Sequence, residues 1–418
     1  MELDSIPQSV RDRLEQIGTA DLVVGLLSSG NGHSGESASP MREEIRQALK
    51  AGLGKLRAVI IQDGQTAPEP AGEGESQVVF SWSLIGPDRA TAPAQSFSDA
   101  LQSMFAASQK LEARACCVIA SDLQNVTSGW ISGLTQPVLE MDYDLITPRY
   151  ANHRFEGLLN SSIVYPITRA LYGKRILNPM GPDLGISGRL VQRMLIANPR
   201  ARAMGNRLHP VASLAPTAVC GGLPVGQAFL GARLYPQVDW TNVSSLLAQV
   251  LGPVFLDMER YAVHWQKTRG SVSVPGFGEP QPVTEETGAV DVKRLVDSFQ
   301  LGARDLQEIW GLVMPPTTLL AVRRLSRQAP DQFRIPDELW VRIVYDFALG
   351  HRLRTISRDH LLRAMTPLYL GWVASYALEL EAAGPAVVER RRESLCEAYE
   401  SLKPYLVSRW RWPDRFNP

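Results

Sequence analysis

The chain has 418 residues, enough for two domains of ordinary size. Its 43 Lys and Arg residues balance 43 Asp and Glu residues, and 44% of the chain is hydrophobic, as in soluble globular proteins. The lack of a basic excess argues against binding of nucleic acid or anionic membranes through bulk charge. Six His and four Cys, without a Cys-x-x-Cys or His-Glu-x-x-His motif, argue against a zinc site.

The chain carries no pattern typical of export or membrane insertion. Its first residues are polar and acidic, unlike a signal peptide. The longest apolar stretch, 368–380 (LYLGWVASYALEL), is shorter than the ~20 residues that span a bilayer, and it predicts a buried helix instead. The few thiols indicate a reducing environment. We therefore expect a cytoplasmic protein without a transmembrane segment.

In the first half of the chain, apolar runs typical of buried strands alternate with helical patterns. The predicted strands are 22–27, 57–62, 78–84 and 115–120. The predicted helices lie around 41–53, from an N-cap at Ser98 through 101–111, and over 130–139. This alternation predicts a layered α/β domain with parallel strands.

The pattern changes after the Pro-rich segment 271–287, which we interpret as a linker or a long surface loop. Beyond it lie long amphipathic segments without convincing strands, and Pro367 should start or kink a helix. The predicted domains are therefore 1–270 and a helical C-terminal domain, 288–418. The Arg-Trp alternation at 409–412 is expected to hold the tail on the body by cation–π stacking, and His351 and His360 are expected to be structural.

Small and acidic residues follow three of the predicted strands. Ser28 and Ser29 follow the first strand, Asp63 the second and Asp122 the fourth. Ligands of open parallel sheets bind beyond the carboxyl ends of the strands, where carboxylates can hold a ribose or a divalent cation. The alternative, that each residue merely forms a turn, stays open.

Residues 30–35 (GNGHSG) match the Gly-x-Gly-x-x-Gly pattern of dinucleotide-binding folds. That fingerprint requires a helix that begins within the glycine turn, so that its N-terminus meets the pyrophosphate. Here a loop continues as far as Pro40. The spacing therefore argues against a dinucleotide site.

The segment 118–123 (VIASDL), followed by Trp130 and Ile131, resembles the Asp-X-Asp-Leu segment of GT-A nucleotide-sugar glycosyltransferases. More specifically, the chain resembles the retaining branch that contains glucosyl-3-phosphoglycerate and mannosylglycerate synthases. The further similar segments are 21–25, 62–64, 165–173, 179–185 and 227–232. The resemblance covers most of residues 20–265. It implies a GT-A-type layered α/β domain followed by a mostly helical C-terminal domain.

The resemblance also implies an activity and its cofactor. Such enzymes transfer a sugar from a nucleoside-diphosphate sugar to a small hydroxylated acceptor with retention of configuration. Mg²⁺ or Mn²⁺ on the diphosphate stabilises the charge of the leaving group. Nucleic acid is not expected as a partner, and self-association is left open.

Roles for individual residues follow from the same resemblance. Those implied are Asp63 and Asp122 for the nucleotide, Asp122 for the metal, Asp183 for catalysis near the donor sugar, and Arg154 and Asn160 for the acceptor. Ser28 and Ser29 are nucleotide-binding candidates because they follow the first strand, and Asp239 is a candidate metal ligand because it lies four residues after Tyr235, where the family has a His. Two alternatives stay open. Asp183 could instead cap the helix that begins near Ser187, and Arg154 could be a solvated surface residue.

The sequence departs from the family pattern at several of its functional positions. Ala120 replaces the first acid of Asp-X-Asp, and Tyr235 stands where a metal-binding His is expected. Residues 205–209 (GNRLH) replace a segment that supplies an active-site acid, and 157–160 (GLLN) replace the acceptor motif. The competing hypothesis is therefore a degenerate relative that binds a nucleotide, a sugar or a protein partner without transfer.

Overall fold

The computed structural model describes most of the chain in two compact units. The residues described are 6, 8–27, 45–49, 56–63, 77–82, 93–120, 127–203, 210–232, 243–281, 283 and 290–413. The first unit comprises Met1–Asn152, Ile176–Leu234 and Ser273–Thr284, and the second comprises His153–Arg175, Tyr235–Val272 and Glu285–Pro418. The domain boundaries proposed above, 1–270 and 288–418, stay a prediction, because compactness does not test independent folding.

The elements are numbered in chain order. The strands are β1 Leu22–Leu27, β2 Ala58–Asp63, β3 Gln77–Trp82, β4 Ala115–Ala120, β5 Leu145–Tyr150, β6 Lys174–Arg175, β7 Leu184–Ser187, β8 Val225–Gly231, β9 Val272–Ser273 and β10 Gly276–Phe277. The helices are α1 Gln8–Ile17, α2 Pro93–Lys110, α3 Ser128–Glu140, α4 Tyr165–Tyr172, α5 Gly188–Ala203, α6 Pro210–Cys220, α7 Val243–Arg260, α8 Ala262–Trp265, α9 Val292–Asp305, α10 Gln307–Val313, α11 Pro316–Leu325, α12 Asp337–Leu353, α13 Arg358–Ala364, α14 Thr366–Leu380, α15 Pro385–Ser401 and α16 Lys403–Arg411. A π-helical turn, Asn160–Val164, precedes α4, and a 3₁₀ turn, Pro330–Gln332, precedes α12. Residues 45–49 are also helical.

The first unit is built on an eight-stranded mixed sheet. Its strand order is β10-β8-β5-β7-β4-β1-β2-β3. Strands β1 to β4 pair in parallel, as do β5, β8 and β10, whereas β7 runs antiparallel to both of its neighbours, β4 and β5. The predicted α/β class is confirmed, and the expectation of purely parallel pairing is wrong at β7.

The central strands follow directly from their sequences. Every residue of β1 and β4 is buried, as is typical of parallel strands covered on both faces. Helix α3 packs very closely on the sheet at Gly185, where a Cβ would lie 1.9 Å from the carbonyl oxygen of Leu134. Only glycine permits this approach.

Two local predictions are wrong. Helix α2 begins at Pro93 rather than at Ser98, so Ser98 lies inside the helix. Proline is favoured in a first helical turn because its missing N–H needs no partner there. The segment 271–287 is not simply a linker, since Gly276–Phe277 adds an edge strand beside β8.

Helices dominate the second unit, which confirms the mostly helical C-terminal region. The apolar stretch 368–380 lies in α14, most of which is buried, and Pro367 sits in the first turn of that helix. Both observations match the sequence-based expectations. None of the helices in the described part of the chain combines the length and apolarity needed to cross a bilayer.

Candidate active site at the carboxyl edge of the sheet

The antiparallel course of β7 places Asp183 at the carboxyl edge of the sheet. Leu184 pairs with Val118 of β4, and Gly185 pairs with Ile146 of β5. Asp183 immediately precedes these residues, so it lies where β4 and β5 end. Ligands of open α/β sheets bind at this edge.

The Asp183 carboxylate joins the ends of β4 and β5. It is fully buried, and it accepts hydrogen bonds from the backbone N–H of Ala120 at 2.9 Å and from the Tyr150 hydroxyl at 2.5 Å. Ala120 is the last residue of β4, and the Asp183 carboxylate accepts the hydrogen bond of its amide.

The alternative that Asp183 caps the following helix is wrong. The cap of α5 is Ser187, whose hydroxyl oxygen accepts a hydrogen bond from the N–H of Leu190 at 3.1 Å. Asp183 instead contacts residues from two other strands. Asp183 therefore joins strands at the edge of the sheet and does not cap the start of a helix.

The segment 176–183, which carries Asp183, is fastened to β5 and β8. The N–H of Leu177 donates to the side-chain oxygen of Gln227 at 2.7 Å, and the Asn178 side chain donates to the carbonyl oxygen of Pro148 at 3.3 Å. Gly181 lies so close to Pro148 that a Cβ would come within 2.1 Å of its ring. These contacts hold Asp183 in place from its N-terminal side.

Aromatic and sulfur groups line the same buried region. The rings of Tyr150 and Trp130 lie 6.2 Å apart in a tilted arrangement. Burial raises the pKa of the Cys117 thiol well above its usual value, and the neighbouring Cys116 and the carboxylate of Asp183 raise it further. Cys117 is therefore a neutral thiol rather than a nucleophile.

A second buried carboxylate lies at the opposite, amino edge of the sheet. Asp144 accepts hydrogen bonds from the guanidinium of Arg189 at 3.0 and 3.1 Å and from the hydroxyl of Ser187. Arg189 also donates to the exposed Asp142 at 2.7 Å. These groups satisfy one another and stabilise the start of β5.

The two residues predicted to bind the acceptor belong to the second unit. The guanidinium of Arg154 donates to the carbonyl oxygens of Ala383 and Glu381, at 2.5 and 3.0 Å, just beyond the end of α14. Arg154 is therefore not a freely solvated side chain. Asn160 is half-buried and begins the π-helical turn.

Most of the other predicted site residues lie outside the described part of the chain. These are Ser28, Ser29, Asp122 and Asp239, together with the glycine-rich segment 30–35 and the departures at Tyr235 and 205–209. Asp63 is the last residue of β2 and pairs with Trp82 of β3. Among the residues that are described, no cluster of three or more His, Cys, Asp or Glu could hold a metal ion.

Sequence reasoning missed Tyr150 and Gln227. Tyr150 lies in a strand that the chain patterns did not reveal, Gln227 begins the similar segment 227–232 but was given no role, and both hold the segment around Asp183. The available signal was a buried polar position within an otherwise apolar run, as at Gln227 in β8.

No protein-family model matches the chain, and no curated protein matches it significantly. Solved structures of glucosyl-3-phosphoglycerate synthase from Mycobacterium tuberculosis resemble it in part. The complex with Mn²⁺, UDP and glucosyl-3-phosphoglycerate is 17% identical, with a TM-score of 0.39, over 61% of this chain and 85% of that one. The complex with Mn²⁺, UDP-glucose and phosphoglyceric acid is 17% identical, with a TM-score of 0.37, over 61% of this chain and 85% of that one. The complex with Mg²⁺ and UDP is also 17% identical, with a TM-score of 0.35, over 61% of this chain and 83% of that one. A likeness of this size does not indicate a shared activity.

Proposed function

We propose that this chain is a cytoplasmic, GT-A-type glycosyltransferase. It would bind a nucleoside-diphosphate sugar at the carboxyl edge of its sheet and transfer the sugar to a small hydroxylated acceptor. A divalent cation, Mg²⁺ or Mn²⁺, would assist. The competing possibility, a degenerate protein that binds the nucleotide without transfer, is an outcome of the test below.

One observation carries this proposal. Three segments that resemble the retaining glycosyltransferases, 118–123, 179–185 and 227–232, are far apart in sequence, and hydrogen bonds in the sheet link described residues of the first and third to the chain at 177–183. Asp183, from the second segment, binds the amide of Ala120 in the first, and Gln227, from the third, binds Leu177 just before the second. A chance resemblance of separate short stretches would have no reason to converge.

The chemistry assigned to this edge concerns the leaving diphosphate. A bound cation would stabilise the negative charge that develops on the diphosphate as the sugar departs. Asp122 is the residue proposed to hold it, with Asp239, because carboxylate oxygens are the ligands that Mg²⁺ and Mn²⁺ prefer. Asp63, Ser28 and Ser29 are proposed to contact the nucleoside diphosphate.

Acceptor binding is assigned to Asn160 and Arg154. The Arg154 guanidinium already donates to two carbonyl oxygens. Asn160 is therefore the sharper test of acceptor binding, since its replacement leaves those contacts intact.

The test is a binding screen with UDP-, GDP- and ADP-glucose, each with Mn²⁺ and with EDTA, read by thermal shift and calorimetry. We expect one donor to stabilise the protein only with Mn²⁺, and Asp122→Asn to abolish that effect. Asp142→Asn is the matched control, because Asp142 is an exposed carboxylate at the opposite edge of the sheet.

Three outcomes separate the hypotheses. Cation-dependent binding together with a glycosylated product in an acceptor screen by mass spectrometry supports the transferase. Cation-dependent binding without any product favours the degenerate protein. If no nucleotide stabilises the wild-type protein with Mn²⁺, the proposed function is wrong.

A further inference from the structure

We propose that a basic and aromatic surface of the second unit docks the protein on an anionic membrane. The surface consists of Arg260, Val263, Lys267, Arg411 and Trp412, all of them exposed, which lie at the end of α7, in and just after α8, and at the end of α16. The two apolar side chains enter the membrane–water interface, and the cations face the lipid headgroups. This inference goes beyond the proposed function and does not depend on it, because docking needs no nucleotide.

Trp412 is exposed, unlike the tryptophans beside it. Its exposed fraction is 69%, whereas Trp265 and Trp410 are 0% and 3% exposed. The Trp410 ring lies 5.2 Å from that of Trp265, and the guanidinium of Arg352 lies over it at 4.6 Å. The Arg-Trp alternation therefore fastens the tail through Trp410 and presents Trp412 to the solvent.

The turn from α7 into α8 carries a second exposed apolar residue between two cations. The N–H of Trp265 donates to the carbonyl oxygen of Tyr261 at 3.0 Å, so helical turns continue from α7 into α8. Arg260, Val263 and Lys267 stand three and four positions apart and therefore share one face of these turns. Val263 is 74% exposed on that face.

The two segments of the surface meet through Arg411. Its Nε donates to the side-chain oxygen of Gln266 at 2.8 Å. Gln266 precedes Lys267 and stands three positions after Val263, and Trp412 directly follows Arg411. This hydrogen bond therefore places the exposed face of α8 beside the exposed end of α16.

The cations of this surface keep their positive charge available. The Arg260 guanidinium lies over the Tyr261 ring at 5.4 Å, and the partner of Arg411 is an uncharged amide, so neither contact neutralises the cation. The adjacent carboxylate of Glu259 is paired with Arg358 at 2.9 Å. The surface is therefore locally basic, although the whole chain carries no net charge.

An anionic membrane fits this combination better than an acidic protein does. Tryptophan prefers the membrane–water interface, where its ring meets apolar chains and its N–H meets water. Lys and Arg beside such a residue are attracted to anionic headgroups. Since the surface offers few apolar side chains, docking is reversible and stays at the interface.

The experiment measures sedimentation of the full chain with vesicles of phosphatidylcholine, either alone or mixed with phosphatidylglycerol. We expect binding to the mixed vesicles only, and weaker binding at high salt, which screens the attraction to the headgroups. The variants are Trp412→Ala and Lys267→Gln/Arg411→Gln. We expect each to lower the partition coefficient about tenfold, because one removes the interfacial ring and the other removes two cations.

Lys293→Gln/Arg294→Gln is the matched control. It removes the same two residue types from the exposed start of α9, so the two double variants carry the same net charge. The control should bind the mixed vesicles like the wild type. Equal losses in the two double variants would mean that net charge alone governs binding, and would overturn the proposal.

A second readout locates the contact on the protein. Brominated phosphatidylcholine quenches the fluorescence of tryptophans that enter the interface. We expect quenching of the wild-type protein on mixed vesicles and loss of this quenching in Trp412→Phe, which keeps an aromatic ring for docking. Unchanged quenching in Trp412→Phe would place the membrane contact elsewhere and overturn the proposal.

The remaining outcomes separate a membrane from other partners. Loss of binding in Lys267→Gln/Arg411→Gln with full binding in Trp412→Ala would indicate a purely electrostatic surface, suited to an acidic protein, and would overturn the membrane assignment. A shift from dimer to monomer in Trp412→Ala without vesicles would overturn it in favour of a second copy of the chain. If the wild-type protein sediments with neither kind of vesicle, the inference is wrong and the proposed function still stands.

Discussion

Buried charges in the second unit depend on specific partners, and Arg169 is the clearest case. Its side chain is 1% exposed, and its guanidinium donates to both carboxylate oxygens of Glu393, at 2.6 and 2.7 Å, and to Glu400 at 3.0 Å. Removal of one partner from a buried ion pair leaves uncompensated charge. We therefore expect Arg169→Met to lower the free energy of unfolding by about 3 kcal/mol, the lower end of the usual range, because Glu393 is partly exposed. Urea denaturation measures this change.

An exposed arginine supplies the control for that measurement. Arg304 pairs with its neighbour Asp305, but both side chains are more than half exposed. Exposed ion pairs contribute little to the free energy of unfolding, since water and salt screen them. Arg304→Met should leave the urea midpoint unchanged. If Arg169→Met and Arg304→Met lowered the free energy of unfolding equally, burial would not strengthen the contribution of the Arg169 ion pairs to stability.

At the scale of elements, a proline explains the π-helical turn before α4. In an α-helix the carbonyl of Ser162 would accept the N–H of residue 166, which here is Pro166 and has none. The Ser162 carbonyl instead accepts hydrogen bonds from the Trp340 indole at 3.2 Å and the Tyr399 hydroxyl at 2.9 Å. Helices α12 and α15 thus supply the donors that the turn lacks.

This explanation predicts a coupling between two substitutions. Tyr399→Phe removes one donor to the Ser162 carbonyl and should lower the free energy of unfolding by about 1 kcal/mol. Pro166→Ala restores a backbone donor to the same carbonyl. In the Pro166→Ala protein, Tyr399→Phe should therefore lower the free energy of unfolding by clearly less than it does in the wild type. A double-mutant cycle by urea denaturation measures the difference, and additive effects would contradict the proposed role of the proline.

The sequence predicts regular elements well where one periodicity dominates. Strands β1 and β4 lie at their predicted bounds because each is an uninterrupted apolar run. Strand β5 was not predicted because Pro148 interrupts it, and proline is rare in inner strands. The structure tolerates this proline because β7 pairs only with Leu145 and Ile146, so the missing N–H lies beyond that ladder.

The same limits apply to the candidate site. The resemblance pointed to Asp183 as a site residue from a short local segment, whereas its position at the edge of the sheet comes from the structure. Its partner Tyr150 belongs to β5, the strand that was not predicted because of Pro148. Arg154 was assigned to the acceptor by its charge, whereas its partners are carbonyl oxygens more than 200 residues away in the chain. Local patterns carry no information about such distant pairings.

At the scale of the whole molecule, the pH dependence of stability depends on buried groups whose pKa values differ from those of the unfolded chain. Asp346 is 1% exposed, and burial raises its pKa from 3.8 to about 7 despite the nearby Arg409 and the hydrogen bond from Tyr405. His351 is 2% exposed, and burial lowers its pKa from 6.5 to about 3, with a contribution from Arg358. Both residues lie on α12. The folded chain therefore keeps both groups neutral near pH 5.

The two groups should offset each other in the pH dependence of stability. Between about pH 4 and 6.5 the folded chain holds one proton on Asp346 and none on His351, whereas the unfolded chain holds one on His351 and none on Asp346. The proton counts are equal, so the pair contributes no net slope in this range. A raised carboxyl pKa makes stability fall as pH rises, and a lowered histidine pKa makes stability fall as pH drops.

Single substitutions should expose the two opposing slopes. In Asp346→Asn only His351 remains, so the free energy of unfolding should rise with pH up to about 6.5, by as much as ~1.4 kcal/mol per pH unit relative to wild type. In His351→Gln only Asp346 remains, so stability should fall as pH rises from about 4 to 7. Urea denaturation of the wild type and both variants between about pH 4.5 and 6.5 measures these slopes. Slopes of the same sign in the two variants would contradict the assignment, because only groups with opposite shifts can cancel in the wild-type chain.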